Sequence, residues 1–183
     1  MDIIKTPIEG LVEILPKVHN DTRGWFLEVY KPSAFRSVDP NVKFVQDNLS
    51  SSKKGVIRGL HLQLPPSPQA KLAAVLQGKV LDIVVDLRKG SHTFGQTHSC
   101  ILDAHSKRML YVPEGFAHGF AALEDSVFFY KCSSEYHPER ETGIRWDDPT
   151  LNLDWKIADP VLSEKDRSLP TLNDLLIKSV ISP

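Results

Sequence analysis

The chain has little cysteine, no excess of basic charge and no long apolar run, and each shortage removes a class of protein. Two cysteines in 183 residues, Cys100 and Cys132, cannot make a disulfide framework, and their spacing fits no structural zinc motif. Both fall in apolar segments, which predicts buried free thiols. Lys and Arg number 22 against 23 Asp and Glu, for a formal net charge of −1. The basic residues are scattered, so nucleic acid is not an expected partner, although two or three of them could still hold a local anion. No segment approaches the roughly 18 apolar residues of a membrane span. The N-terminal "MDIIKTPIEGLVEILPK" has early acidic residues and no signal-peptide pattern. A soluble, cytoplasmic protein without membrane association is expected. Internal repeats and low-complexity tracts are missing too. Apolar residues at 41% and charged residues at 25% are ordinary for a globular chain, and the length suits one domain spanning 1–183.

What is present is β patterning. "KVLDIVVDLR" places Leu81, Ile83, Val85 and Leu87 on one face and Val80, Asp82, Val84 and Asp86 on the other. "GLVEILPKV", "WFLEVYK", "VKFVQDN", "KLAAVLQ", "THSCILDA", "KRMLYVP" and "SVFFYKCSSEY" are further short apolar runs. Turn-forming stretches such as "NDTRG", "SSSKKG", "PPSPQ" and "LRKGSHTFG" separate them. Many short strands at close spacing predict an all-β sandwich or jelly-roll barrel. The last third is richer in Pro, Asp and Glu, and in "LSEKDRSLPTLNDLLI" Ser163 is positioned to cap a short helix with Asp166 three residues on. Its tryptophans and leucines need burial, so the tail is expected to fold back over the barrel.

The stretch "GVIRGLHLQLPPSPQAK" is unusual for a strand. It carries Arg58, His61 and Gln63 among apolar residues, with Lys71 across a proline turn. His61 and Gln63 share a face by alternation, together with Ile57 and Gly59, whereas Arg58 faces the other way unless Gly59 hosts a bulge. Several cationic side chains aimed into one barrel require something anionic there. Barrel folds often hold a metal through two histidines two apart, but here glutamine fills the second position and a lysine lies nearby, so no metal is expected at this site. His118 in "VPEGFAHGF", and Tyr130 with Lys131 and Tyr136 in "FFYKCSSEY", are the other chemistry-bearing clusters.

Taken together and in order, "GVIRGLHLQ", "QAKL", "VPEGFAHGF", "YKC", "GIRWDDP" and "LSEKD" resemble the dTDP-4-dehydrorhamnose 3,5-epimerase family. The likeness runs from about "DTRGWFLE" to "LSEKDRSLP". It implies an RmlC-like cupin, a double-stranded β-helix with a few short, mainly C-terminal helices, acting as a homodimer without metal or dissociable cofactor. It implies a nucleotide-sugar substrate, preferably dTDP-linked. By the same resemblance His61 is the base and Asp166 its carboxylate partner. Lys71 matches the group that holds the enolate oxygen, and Tyr130 the proton donor. Arg23 and Arg58 match diphosphate contacts, while Glu28, Gln46 and Asn48 match nucleotide-sugar contacts and Phe26 belongs to the same segment as Arg23. Tyr136 matches an aromatic ring stacked on the base. His118, Glu141 and Lys165 match further ligand contacts, and Gln63 is grouped with them. In the family the N-terminal strands are exchanged between protomers, which would send Arg23 and Glu28 to the partner's site.

The chain departs from the family pattern in places. "GQTHSC" lacks a tryptophan after "GQ", "AKLAAV" replaces "GKLVRV", and Glu135 precedes Tyr136 where some relatives carry a second tyrosine. Nucleotide preference and inversion at C3, C5 or both therefore stay open. So do a 3,4-ketoisomerase of the same barrel and a cupin that only binds a sugar.

Overall fold

In the computed structural model, which describes residues 1–182, thirteen strands carry the fold. The first six are β1 (Asp2–Lys5), β2 (Val12–Leu15), β3 (Val18–Asp21), β4 (Gly24–Leu27), β5 (Gln46–Ser52) and β6 (Ile57–Gln63). Next come β7 (Lys71–Gln77), β8 (Lys79–Asp86), β9 (Thr97–Asp103), β10 (Met109–Val112), β11 (Phe116–Ala122), β12 (Ser126–Cys132) and β13 (Glu141–Gly143). Three short helices are α1 (Pro32–Phe35), α2 (Glu164–Arg167) and α3 (Leu172–Ile177), with a 3-10 turn at Pro138–Arg140. One sheet has the order β1-β2-β10-β7-β12-β5 and the other β13-β6-β11-β8-β9; β3 and β4 form a separate hairpin. Every strand pairing is antiparallel, apart from one isolated parallel bridge between Val56 and Val161. The result is the all-β jelly roll that the strand spacing predicts. No helix among the described residues is long and apolar enough to cross a membrane.

Strand β8 shows how the alternation becomes architecture. Leu81, Ile83, Val85 and Leu87 join one core with the C-terminal third, through Ile144, Trp155, Leu172, Leu175 and Ile181. Val80 and Val84 point the other way, into the barrel interior with Leu110, Phe116, Phe120 and Phe128. The tail therefore covers the outer face of the second sheet, as its apolar residues required. Asp148 fastens it: its carboxylate accepts from the Thr150 and Leu151 backbone at 2.9 Å each and from the Leu172 backbone at 2.7 Å. Both cysteines are free and buried.

Three strands differ from the sequence expectation. The segment Phe116–Ala122 is a strand buried along its whole length, so it lacks the polar–apolar alternation that reveals a half-exposed one. Strand β5 continues through Ser50–Ser52, read above as a turn, because this polar strand forms the edge of its sheet. Conversely, "WFLEVYK" is strand only as far as Leu27.

Gly59 hosts the bulge. Opposite β11, His61 pairs with His118 and Arg58 with Phe120, so three steps on β6 face two on β11. The offset places Arg58 and His61 on the cavity side, while Ile57, Leu60 and Leu62 enter the outer core. Ile57 thus lies across the strand from His61 and does not share its face. Gly59 has φ +103°, and a Cβ there would sit 2.7 Å from Gly119 Cα and from the His118 carbonyl oxygen. Only glycine fits without moving backbone. Gly59→Ala is expected to destabilise the protein by about 1–3 kcal/mol, read as a lower urea midpoint with an unchanged slope. A midpoint equal to wild type would disprove this account of the bulge.

Candidate active site

The inner faces of β5, β6, β7, β11 and β12, closed by α2, line a cavity of about 280 Å³. A second lobe, also about 280 Å³, adjoins it on the side of β13. His61, Lys71 and Tyr130 belong to both lobes. Arg58, His118 and Lys165 lie in the first lobe, and Gln46, Asn48, Tyr136 and Glu141 in the second.

His61 has a built environment. Its Nε2–H donates to Asp166 Oδ1 at 2.6 Å, since an ionised carboxylate can only accept. This fixes the tautomer and leaves Nδ1 as the basic nitrogen. Glu141 Oε1 is 3.8 Å from Nδ1, outside hydrogen-bond range. Asp166 is delivered by α2: Ser163 accepts from the Asp166 backbone N–H at 3.1 Å and donates to Asp166 Oδ2 at 2.8 Å. Burial by itself would raise the Asp166 carboxyl. The bonds from His61 and Ser163, with the Gly59 backbone N–H, outweigh it and hold the group below the usual carboxylate range. The helix cap and the charge partner turn out to be one arrangement.

The cations differ in their pairing. Among the described residues, Lys71 and Arg58 form no ion pair with a carboxylate. Arg58 instead donates to Ser52 Oγ at 3.0 Å and to the Ser51 carbonyl at 3.1 Å. Burial pulls the Lys71 ammonium below its ordinary value, against the opposing charges of Cys132, Glu141 and Asp82. Burial pushes the Tyr130 phenol upward, with Cys132 and Glu141 adding to the rise, so it stays protonated. Lys165 bonds Glu141 Oε2, which also accepts from the Tyr136 hydroxyl at 2.6 Å. Burial would raise Glu141, but those two bonds and the nearby His61 lower it. This cavity therefore offers a base, a hydroxyl donor and two cations lacking carboxylate partners, a set suited to an anion whose charge moves during reaction.

Other expected residues fall differently. His118 lines the first lobe, but its Nε2–H is held by both oxygens of buried Asp82, at 2.8 and 2.9 Å. Gln63 is not a cavity residue. Its amide donates to the Ser67 and Glu135 carbonyls, at 2.5 and 3.0 Å, and accepts from the His137 backbone at 2.8 Å, so it holds a loop. Gln46 accepts from the Tyr136 backbone at 2.8 Å and donates to Asn48 at 2.9 Å, joining three second-lobe residues. Lys131 points away and pairs with Asp47 at 2.6 Å. Arg23, Phe26 and Glu28 are not brought to the cavity within this chain. Arg23 pairs with Asp21 on the exposed β3–β4 hairpin, Phe26 is 64% exposed there, and Glu28 lies 3.6 Å from Lys31.

Sequence reasoning missed Asp82, the donation of the Ser163 hydroxyl to the Asp166 carboxylate, and Ser50, whose cavity-lining hydroxyl lacks a hydrogen-bond partner among the described residues. The signal for Asp82 was present, as a carboxylate between Val80 and Val84 on the inward face of β8.

Comparison with known proteins identifies the family. The family model described as dTDP-4-dehydrorhamnose 3,5-epimerase matches residues 5–174. The dTDP-4-dehydrorhamnose 3,5-epimerase of Methanothermobacter thermautotrophicus is 45% identical over 175 residues, covering 93% of this chain and 94% of its own. The RmlC 3,5-epimerase of Legionella pneumophila, solved with dTDP-4-keto-L-rhamnose, superposes with a TM-score of 0.92 at 44% identity, covering 98% of this chain and 96% of its own. ChmJ, a 3'-monoepimerase from Streptomyces bikiniensis solved with dTDP-quinovose, reaches a TM-score of 0.90 at 33% identity, covering 97% and 91%. The jelly roll is thus the RmlC-like cupin barrel, and the chain belongs to the dTDP-4-dehydrorhamnose 3,5-epimerase family.

Proposed function

We propose that this chain is a single-domain, cytoplasmic isomerase that epimerises dTDP-4-keto-6-deoxy-D-glucose at C3 and C5 in deoxysugar biosynthesis. The observation that carries the reading is that His61, Lys71 and Tyr130 border both lobes of the cavity, with His61 fixed by Asp166. The C4 ketone acidifies the C–H bonds at C3 and C5. His61 Nδ1 takes one of these protons, and the C–H electron pair moves into the ring as C4–O becomes an enolate. The Lys71 ammonium holds that oxygen. Tyr130 then delivers a proton from the opposite face, inverting the carbon; it regains one from solvent, and His61 releases to solvent the one it took. Arg58 serves the diphosphate with its guanidinium fork. Gln46, Asn48, Tyr136, Glu141 and Lys165 frame the nucleotide side, with Tyr136 stacking on the base.

The second reading is inversion at one carbon only, which the similarity to a 3'-monoepimerase keeps in view. Turnover in deuterated water separates the two. The first reading predicts label at both C3 and C5, and label at one alone would establish the second. A product with its carbonyl at C3 would instead mark a ketoisomerase. His61→Ala is expected to reduce turnover by about 10²–10⁴-fold while dTDP still raises the melting temperature. Tyr130→Phe should exchange protons yet lose net inversion.

Lys71 gives a pH signature. Burial lowers the Lys71 pKa, so the ammonium loses its proton at lower pH than an ordinary lysine does. The pH profile of kcat/KM should therefore fall on the alkaline side below the usual lysine value of about 10.4. In Lys71→Arg the side chain keeps its charge, so that limb should move to higher pH even if the peak rate drops. An unmoved limb would remove Lys71 from the enolate.

Arg23, Phe26 and Glu28 reach a site only if a second copy supplies them, so the working form is a homodimer in which the β3–β4 hairpin crosses to the partner, while β1 and β2 stay in their own sheet beside β10. Arg23→Glu and His61→Ala, each inactive alone, should complement when mixed and reassembled. One intact site forms per heterodimer, giving about a quarter of wild-type activity for random pairing. A mixture with no more activity than its parts rules out the exchange.

A further inference from the structure

Outside the catalytic cavity, one buried group of donors is not used by the mechanism. Glu13 on β2 and His98 and Cys100 on β9 bring a carboxylate oxygen, an imidazole nitrogen and a sulfur within 4.8 Å of one another. Spacing along the chain could not show this, because β2 and β9 belong to different sheets and meet only in the folded barrel. His98 and Cys100 are two apart, so both face inward, as does Leu102 beyond them. Glu13 is 8% exposed and Cys100 also 8%, against the apolar barrel interior.

We propose that Glu13, His98 and Cys100 form a divalent transition-metal site of the zinc class, separate from the epimerase cavity. A tetrahedral zinc with metal–nitrogen and metal–oxygen bonds of about 2.0–2.1 Å sets those ligand atoms roughly 3.2–3.4 Å apart. His98 Nε2–H donates to Glu13 Oε1 at 3.1 Å, close to that spacing, and a metal would replace this hydrogen bond as the ring proton moves to Nδ1. Sulfur, nitrogen and oxygen together are a donor set for zinc or cobalt rather than magnesium or calcium. Arg108 bonds the other carboxylate oxygen of Glu13, leaving Oε1 for the ion and fixing the carboxylate from behind, as outer-shell partners of metal ligands do. A solvent molecule completes the fourth position, and His98, with 18% of its side chain exposed, marks the way in. Burial, then the Asp82 and Glu13 charges, push the Cys100 thiol up. A divalent cation reverses that local field, and on binding the thiol proton leaves to solvent.

Cobalt and zinc titrations of the full, untagged chain test the site. One equivalent of Co²⁺ should bind, with thiolate-to-cobalt absorption in the near ultraviolet and tetrahedral bands in the visible, and Zn²⁺ should displace it. Cys100→Ala should abolish the ultraviolet band, whereas Cys132→Ala, which removes the other thiol, should retain it. His98→Gln should weaken Co²⁺ binding at least about tenfold. Melting curves verify that each variant is folded, with Cys100→Ser as a second probe if Cys100→Ala is not. Absence of the thiolate band in the wild type, its survival without Cys100, or its loss with Cys132 overturns the site. Each readout is spectroscopic, so the result is independent of the epimerase reading.

Discussion

The whole arrangement depends on a carboxylate delivered to an imidazole from 105 residues away along the chain. Asp166 is 4% exposed, and an ionised carboxylate that deep is costly unless its oxygens are fully occupied. His61 takes one oxygen, Ser163 the other, and the Gly59 N–H adds a further bond. Those partners come from the barrel strand, the helix cap and the bulge. The tail cannot therefore be regarded as a cover added to a finished barrel. Its apolar residues bind the outer faces of β6, β8 and β11, and that docking carries α2 to the mouth of the cavity. Burial of Trp155, Leu172 and Leu175 against the second sheet supplies the energy, and the dyad is what that energy positions.

The bulge adds a second constraint. A regular β6 would put Arg58 and His61 on opposite faces. One positive-φ glycine, set against Gly119 on the neighbouring strand, rotates Arg58 onto the cavity side and leaves Leu60 and Leu62 in the outer core. The guanidinium and the imidazole then share one cavity although they stand three positions apart on the strand. Arg58 is held by a hydroxyl and a carbonyl, which orient it while leaving its charge available, whereas Lys165 is already engaged by Glu141. The carboxylates of the cavity, Asp166 and Glu141, are spent on His61 and Lys165, so Arg58 and Lys71 keep their charge available.

Much of this was legible in the sequence, but unevenly. The alternation in "KVLDIVVDLR" gave both faces of β8 correctly, since each face meets a different core. The Ser163 cap was visible because capping is local, and a bulge at Gly59 was the one way to reconcile Arg58 with His61. Strand β11 was not legible as a strand: "FAHGFAA" is buried on both sides, so hydrophobicity has no period to follow. The serines of β5 looked like a turn because an edge strand beside a polar cavity needs few apolar residues. Long-range partners were hidden for another reason. Neither Asp82 with His118 nor Glu13 with His98 can be inferred without knowing which strands face each other, and that information lies in the topology rather than in any segment.

Gln63 shows how one strand divides its labour. A lone strand glutamine two residues from His61 invites assignment as a ligand contact, yet its amide is consumed by three backbone groups of the segments around Ser67 and Glu135–His137. Between Glu135 and His137 stands Tyr136, whose own backbone N–H is held by Gln46 and whose hydroxyl meets Glu141. Glu141 is paired with Gln63 across β13 and β6, so the glutamine fixes both ends of the unit that presents the aromatic ring. Its influence on a nucleotide runs through the position of Tyr136 and not through contact. His61 and Gln63 lie on the same face, yet one side chain is left with a free basic nitrogen and the other with no free polar atom. That difference in unused hydrogen-bonding capacity, more than residue type or spacing, separates the chemistry of the site from its scaffold.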